Sequence, residues 1–373
     1  MQRRILFTAS SYSHICNFHR PYLREFSRLG WRVDVACGGS PMRIPEAHQV
    51  IHTPFEKKLT APANWKAVRL LRRKITENRY DLISCHTSLA SFFTRVAVAG
   101  LPARPLVACT SHGYLFDEAS PAFKRLLFSS AEKAAAPVTD LLMTMNQWDT
   151  DYAAEHKLGR QIRKIPGMGV DLQRLSCDKD SGADLRRSLG LGEEHFVLVY
   201  AAEYSPRKSH SYLLKALCKA PAQVVLALPG RGEQLEYCMG LAEELGLQHR
   251  VIFPGQVSDM APWYAAADAA VSSSRSEGLP FNVMEAMGAS LPVVASQVKG
   301  HTDLIRHEEN GLLFPYGDEQ ACADQIRRLA EEPDLARRLG MCAYDTVQKY
   351  SLSSVLPQVM SVYEELLQVP IMA

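Results

Sequence analysis

The chain lacks several features that would settle its class at once. Its nine cysteines include no C-x-x-C pair, and an odd count scattered through apolar runs (Cys37, Cys85, Cys109) argues for buried free thiols rather than a disulfide or zinc framework. This places the expected compartment in a reducing cytoplasm. No segment approaches the roughly 18 consecutive apolar residues of a membrane span. The opening MQRRILFTASSYSHIC has basic residues and a short apolar run that polar residues end after about seven positions, too few for a signal-peptide core. No lipidation signal is present. The first strand-to-helix loop, Ser10-Ser-Tyr-Ser-His14, lacks G-x-G-x-x-G, which argues against a dinucleotide fingerprint.

Overall charge is also scarce, at +2 over 373 residues, but it is unevenly shared. Residues 1–170 hold 24 Lys/Arg and 13 Asp/Glu, a balance of +11, whereas residues 171–373 hold 18 and 27, a balance of −9. The halves therefore suit different partners. A length of 373 residues with 47% apolar composition exceeds what one hydrophobic core usually supports and predicts two α/β domains.

The first half reads as βαβ units. Strands are predicted over Arg3 to Ala9, Trp31 to Cys37, Asp81 to Cys85, Pro105 to Cys109 and Asp140 to Met145, with a helix from Asn17 to Leu29. A second, strongly basic helix runs from Trp65 to Arg79, with Trp65, Val68, Leu71 or Arg72, and Ile75 on one stripe and Lys66, Arg69, Arg73 and Lys74 largely around it. Its cations fit either an anionic membrane surface or simple solvation. Asn146 is placed to cap a helix that carries Asp149-Thr-Asp151, so these carboxylates are explained by the helix dipole and no metal site is expected there.

Gly167-Met-Gly-Val-Asp171 has the composition of a linker, and the pattern then restarts. Strands are expected over His195 to Ala202, Gln223 to Leu228, Arg250 to Phe253 and Ala266 to Val271. Arg207 and Lys208 stand together after the first of these, two cations suited to a diphosphate in an otherwise acidic half, or else a solvated pair on a loop. Gly230 marks a glycine turn after the second. The stretch from Ser274 to Gly288 reads SRSEGLPFNVMEAMG, with Pro280 in the first turn of a helix and Phe281, Met284 and Met287 on its sheet-facing stripe. Backbone N–H groups near Gly278, Leu279, Phe281 and Asn282 would form an anion-binding helix start. Glu277 and Glu285 flank it, suiting a polyhydroxylated ligand on two sides; solvated and ordinary helical glutamates are the alternative.

That stretch resembles the E-x7-E motif of the retaining glycosyltransferases of family 4. Val251-Ile-Phe-Pro-Gly255, Tyr264 to Asp268, Leu291-Pro-Val-Val-Ala295, Gly300-His-Thr-Asp-Leu304 and Asn310-Gly-Leu-Leu313 follow in that family's order, and Asn17-Phe-His19 and Ser111-His-Gly-Tyr114 are similar to bacterial capsule and exopolysaccharide enzymes. The resemblance implies a GT-B fold, α/β, with two Rossmann-like doubly wound domains facing each other across a cleft. It divides the chain into 1–170 on the acceptor side, 171–350 binding the nucleotide sugar, and a C-terminal helix 351–373 packing back on the first domain. It assigns Glu277 to the donor sugar, Glu285 to the nucleotide ribose, Arg207 and Lys208 to the diphosphate and His112 to the site beside the sugar. Ser13 and His14 are placed on a first loop that closes over the diphosphate, and Gly230 near the nucleoside.

The resemblance implies no cofactor and no metal. The donor is expected to be a nucleotide sugar, UDP-linked, with a polyprenyl-diphosphate-linked glycan as acceptor. The charge asymmetry and the basic helix make an anionic membrane surface an expected partner, nucleic acid is not expected, and the enzyme is expected peripherally on the inner face of the cytoplasmic membrane. A UDP-sugar epimerase on the same fold and a nonenzymatic nucleotide-sugar-binding protein are the competing readings. Where the family carries glycines, this chain has Ala202, Ser209 and Ser290, which leaves the backbone path there open.

Overall fold

The structure is a computed structural model, described here for residues 2–56, 58–175 and 179–368. It divides into two compact units, one running through Gly169 and including the chain from Ser353 on, the other Val170–Leu352.

Among the described residues of the first unit, seven parallel strands are β1 (Arg4–Ala9), β2 (Arg32–Cys37), β3 (Gln49–His52), β4 (Leu82–His86), β5 (Leu106–Thr110), β6 (Leu141–Thr144) and β7 (Gln161–Lys164), in the order β3-β2-β1-β4-β5-β6-β7. Ile5, Leu6 and Phe7 of β1 are fully buried and pair with Leu82, Ile83 and Ser84 of β4, as expected for a sheet covered on both faces. In the second unit β8 (Phe196–Val199), β9 (Val224–Ala227), β10 (Val251–Ile252), β11 (Ala269–Ser272), β12 (Val293–Ser296) and β13 (Leu312–Phe314) take the order β10-β9-β8-β11-β12-β13. Both are doubly wound sheets, and the strand order reverses between β1 and β4 and between β8 and β11. Ligands of such sheets bind at the carboxyl ends of the strands beside this reversal.

The helix Leu352–Leu367 belongs with the first unit from Ser353 on. Tyr363 packs edge-on against Phe26 and its hydroxyl meets Ser84 Oγ at 2.7 Å. Cys37, Cys85 and Cys109 are buried and free.

Several local expectations need correction. The helix expected from Asn17 is two helices, Tyr12–Phe18 and Arg20–Arg28, because Ser11 Oγ caps the first through His14 N–H and Pro21 enters the first turn of the second. Ser13 and His14 therefore sit in a helical turn, not in a loop. Ala266 ends a helix, Ala261–Ala266, and the strand begins at Ala269. Pro280 is the residue before the helix Phe281–Gly288, and Val283, Met284, Ala286 and Met287, not Phe281, form its buried face. On the basic helix, Pro62–Asn78, Trp65 is exposed, while Ala67, Val68, Leu71 and Ile75 are buried. Ser209 and Ser290 adopt the left-handed conformation, φ 54° and 61°, so the glycine-type path persists without glycine.

Candidate active site

In the second unit the residues after β8 and β11 are stitched together. Arg275 N–H donates to the Arg207 carbonyl at 2.8 Å, Ser273 Oγ donates to the carbonyls of Lys208 and Ser209 at 3.1 Å each, and the Tyr200 hydroxyl donates to the Lys208 carbonyl at 3.0 Å. These bonds hold two consecutive cations beside Glu277. Lys208 Nζ lies 2.6 Å from Glu277 Oε1 and Arg207 Nη1 2.7 Å from Oε2. Burial alone would raise the Glu277 pKa, but Lys208 and then Arg207 hold it well below the carboxylate range. Burial conversely lowers Lys208, against the attraction of Glu277. Glu277 is 6% exposed, whereas the Arg207 side chain remains 47% exposed and can still meet an anion. The expected residues thus come together, but as an ion-paired triad rather than separate cations and acceptor.

Two residues not singled out for the site complete this wall. Gly300, at φ 83°, leaves room for Glu277, since a Cβ there would lie 2.8 Å from Glu277 Cβ. His301 is fully buried between Ser272 Oγ (2.9 Å) and Ser296 Oγ (3.1 Å), and burial lowers its pKa to about 4. Gly278 and Leu279 are buried before the helix that starts with Phe281 and Asn282. Glu285 is held at one oxygen by Tyr264 Oη at 2.9 Å, and burial raises its pKa. Gly230 is required by close approach, because a Cβ there would collide with the Ala202 carbonyl.

The first unit presents a different chemistry at its strand ends. His14 follows β1, His86 ends β4 and His112 follows β5; His14 Nε2 is 3.3 Å from His112 Nε2, which is 3.4 Å from His86 Nδ1. His19 packs on His86 with ring centroids 3.7 Å apart, and both His19 nitrogens are buried without a hydrogen-bond partner. Burial lowers all four pKa values, that of His14 to about 4, so the rings are neutral at pH 7. Ser13 is exposed and its hydroxyl meets Ser11 Oγ at 3.0 Å, away from this cluster's hydrogen bonds. His14, His19 and His112 each bring a ligand atom within 4.8 Å of the others, a donor set that could accept a borderline divalent cation. Asp149, by contrast, accepts from Tyr114 N–H (2.9 Å) and the Asn146 amide (3.0 Å), and Asn146 caps its helix as its position predicts.

Residues 22–174 match the family model described as Glycosyltransferase Family 4, and residues 182–346 match that described as Glycosyl transferases group 1. The chain is 32% identical over 369 residues to EpsD of Bacillus subtilis, named as a glycosyltransferase, with 97% of each chain covered. It is 24% identical over 308 residues to the Escherichia coli UDP-Gal:alpha-D-GlcNAc-diphosphoundecaprenol alpha-1,3-galactosyltransferase, covering 80% of this chain and 79% of that one. Among solved structures, sucrose-phosphate synthase from Thermosynechococcus elongatus superposes with TM-score 0.83 at 22% identity over 98% of this chain and 100% of its own. HepE of Anabaena, in complex with UDP and glucose, gives 0.81 at 22% identity with 98% and 100% covered. The fold is GT-B, and the chain belongs to the family 4 glycosyltransferases.

Proposed function

We propose that this glycosyltransferase moves a hexose or N-acetylhexosamine from a UDP-linked donor, with retention of configuration and without a metal, to a polyprenyl-diphosphate-linked glycan in bacterial surface polysaccharide biosynthesis. The observation that carries the reading is the Arg207–Glu277–Lys208 triad at the strand reversal of the second sheet. A departing nucleoside diphosphate gains negative charge, and preorganised cations beside a helix start stabilise it without reorganisation. In that role Arg207 and Lys208 share their charge between Glu277 and the diphosphate, so Glu277 is oriented toward the sugar by the groups that hold the leaving phosphate. Glu285, steadied by Tyr264, takes the ribose. His112 and His14 offer neutral hydrogen-bonding groups at the strand ends of the first unit.

UDP is supported by HepE's complexes, and the lipid-linked acceptor by the name of the E. coli relative. Similarity along the whole chain to a protein named as a glycosyltransferase favours transfer over the epimerase and binding-protein readings.

The test is a screen of UDP-sugars against a polyprenyl-diphosphate-linked acceptor, read by product mass. One sugar added with release of UDP is expected. Conversion of the UDP-sugar to its epimer without acceptor, or UDP binding with no turnover for any donor, overturns the proposal.

A further inference from the structure

The two most exposed large apolar side chains among the described residues lie on one helix of the first unit. In Ala122–Ala135, Phe123 is 76% exposed, Leu126 67% and Leu127 39%. Their spacing of three and four residues puts them on one face. Leu115, just before, is 42% exposed, and residues 121–127 are exposed without interruption. The helix is nonetheless firmly held from behind. Glu132 receives Arg95 Nη2 at 2.9 and 3.0 Å, and Ser129 Oγ receives the Tyr152 hydroxyl at 2.6 Å. Exposed Lys124 and Lys133 flank the apolar face, whereas Arg125 lies on the opposite side, in a pocket with Glu118, Asp151 and Glu155. Elsewhere exposed apolar side chains come singly or in small pairs, which is ordinary.

We propose that this helix docks on an anionic membrane surface, with Phe123, Leu126 and Leu127 entering the interfacial layer and Lys124 and Lys133 meeting lipid phosphates. The inference rests on the reading of a lipid-linked acceptor and names the element that reaches it. Charge selects the occupant. Two cations flanking the apolar face, in a half of balance +11, complement an anionic surface, whereas a second copy would oppose its own cations. The basic helix Pro62–Asn78 fits the role less well. Its Arg72 donates to the carbonyls of Ala97 (3.2 Å) and Ala99 (2.8 Å), Lys74 pairs with Glu77 at 2.9 Å, and Val68, Leu71 and Ile75 are buried.

The experiment is flotation of the full chain with phosphatidylglycerol–phosphatidylcholine vesicles, together with brominated-lipid quenching of a Phe123→Trp variant. Wild type should float and retain part of its binding at about 1 M salt, where charges are screened over only about 3 Å. Phe123→Ser with Leu126→Ser should lower partition by about tenfold with unchanged melting, because the apolar insertion is lost. Lys66→Ala with Arg69→Ala should change it by no more than about twofold. The indole introduced by Phe123→Trp should add emission that shifts to the blue on binding and is quenched, relative to wild type under the same conditions. Equal partition of wild type and the double serine variant, an unquenched introduced indole, or a double variant that instead changes oligomeric state overturns the inference. Sugar transfer to the lipid-linked acceptor in detergent, without vesicle binding, rejects the docking helix and leaves the acceptor reading standing. Vesicle binding without transfer to that acceptor does the reverse.

Discussion

The two units share a strand order and put different electrostatics at the strand ends beside its reversal. The first belongs to the basic half, +11 over residues 1–170, yet its strand ends carry four neutral imidazoles. The second lies in the acidic half, −9 over residues 171–373, yet its strand ends carry two cations held on a buried carboxylate. Site charge thus does not follow bulk charge in either unit: the basic half presents neutral rings and the acidic half a net positive group. Local burial and pairing, not the domain's net charge, decide what a ligand meets. Under the proposed function, a basic surface is then available for a membrane, while the cations assigned to the diphosphate are kept where solvent reaches little more than Arg207.

The largest effect should come from breaking the second unit's triad. Lys208→Met removes one of two cations and leaves Glu277 paired with Arg207 alone. If the cations stabilise the leaving diphosphate, transfer should fall by about a hundredfold to a thousandfold, or ~2.7–4 kcal/mol, the usual loss for one preorganised donor. Steady-state kcat/KM with the donor varied measures it. A change within about threefold would mean that the triad is structural only.

Acid should separate the units next. In the first, all four histidine pKa values lie below the unfolded value of 6.5, so the unfolded chain binds more protons as pH falls. Their stabilisation is present in full above pH 6.5 and is lost as pH falls toward the folded values. For His14, held at about 4, the loss by that pH is roughly 3 kcal/mol. The second unit has His210, at about 3, and His301, at about 4, acting in the same sense. The Glu277 pairing is different: a depressed carboxylate stabilises above its unfolded value of 4.5 and loses that only as pH falls through its folded value. Between pH 6.5 and 4.5 amide exchange protection should therefore fall faster in the first unit than in the second. Equal loss in both, or earlier loss in the second, would contradict the contrast.

A smaller effect should distinguish the two glutamates. Glu285→Ala should weaken binding of UDP by about tenfold, ~1.4 kcal/mol, on loss of a charged acceptor to the ribose. Glu277→Ala releases Arg207 and Lys208 from their carboxylate, so UDP should bind as well as before or better while transfer falls. Calorimetry on both variants checks this, and unchanged UDP affinity in Glu285→Ala would end the ribose assignment.

How much of this was legible depended on whether the cause was local. The Asn146 cap explained Asp149 from sequence because capping is decided within one turn. The helix break at His19 has a local signal too, Ser11 at an N-cap and Pro21 in a first turn, but the serine-rich stretch read equally well as a loop. Alanine-rich Tyr264 to Ala270 carries no periodicity to separate helix from strand, which put the start of β11 too early. The Lys208–Glu277 contact spans 69 residues and follows from β8 lying next to β11. The histidine cluster likewise needs β1, β4 and β5 side by side; His86 stands at a strand end as His112 follows one, yet only adjacency makes them a group. Tyr264 meets Glu285 between two helices that no sequence spacing connects.

The smallest expected effect is that of chelation. A divalent ion in such a reaction would neutralise the leaving diphosphate, a charge that the proposed function assigns to Arg207 and Lys208. Asp149 is occupied by Tyr114 N–H and Asn146, which leaves the D-x-D sequence without its first carboxylate. Among the described residues the one group of three suitable side chains is His14, His19 and His112, an all-imidazole set that fits zinc or cobalt better than magnesium or manganese. Transfer measured in excess chelator should stay within about twofold of the untreated rate, since no step is assigned to a metal. A loss restored by magnesium or manganese would point to a carboxylate site other than those named above. A loss restored by zinc would instead place an ion on the histidines, and the first unit's strand ends would then be cationic like the second's, removing the contrast between neutral and charged edges on which the other predictions stand.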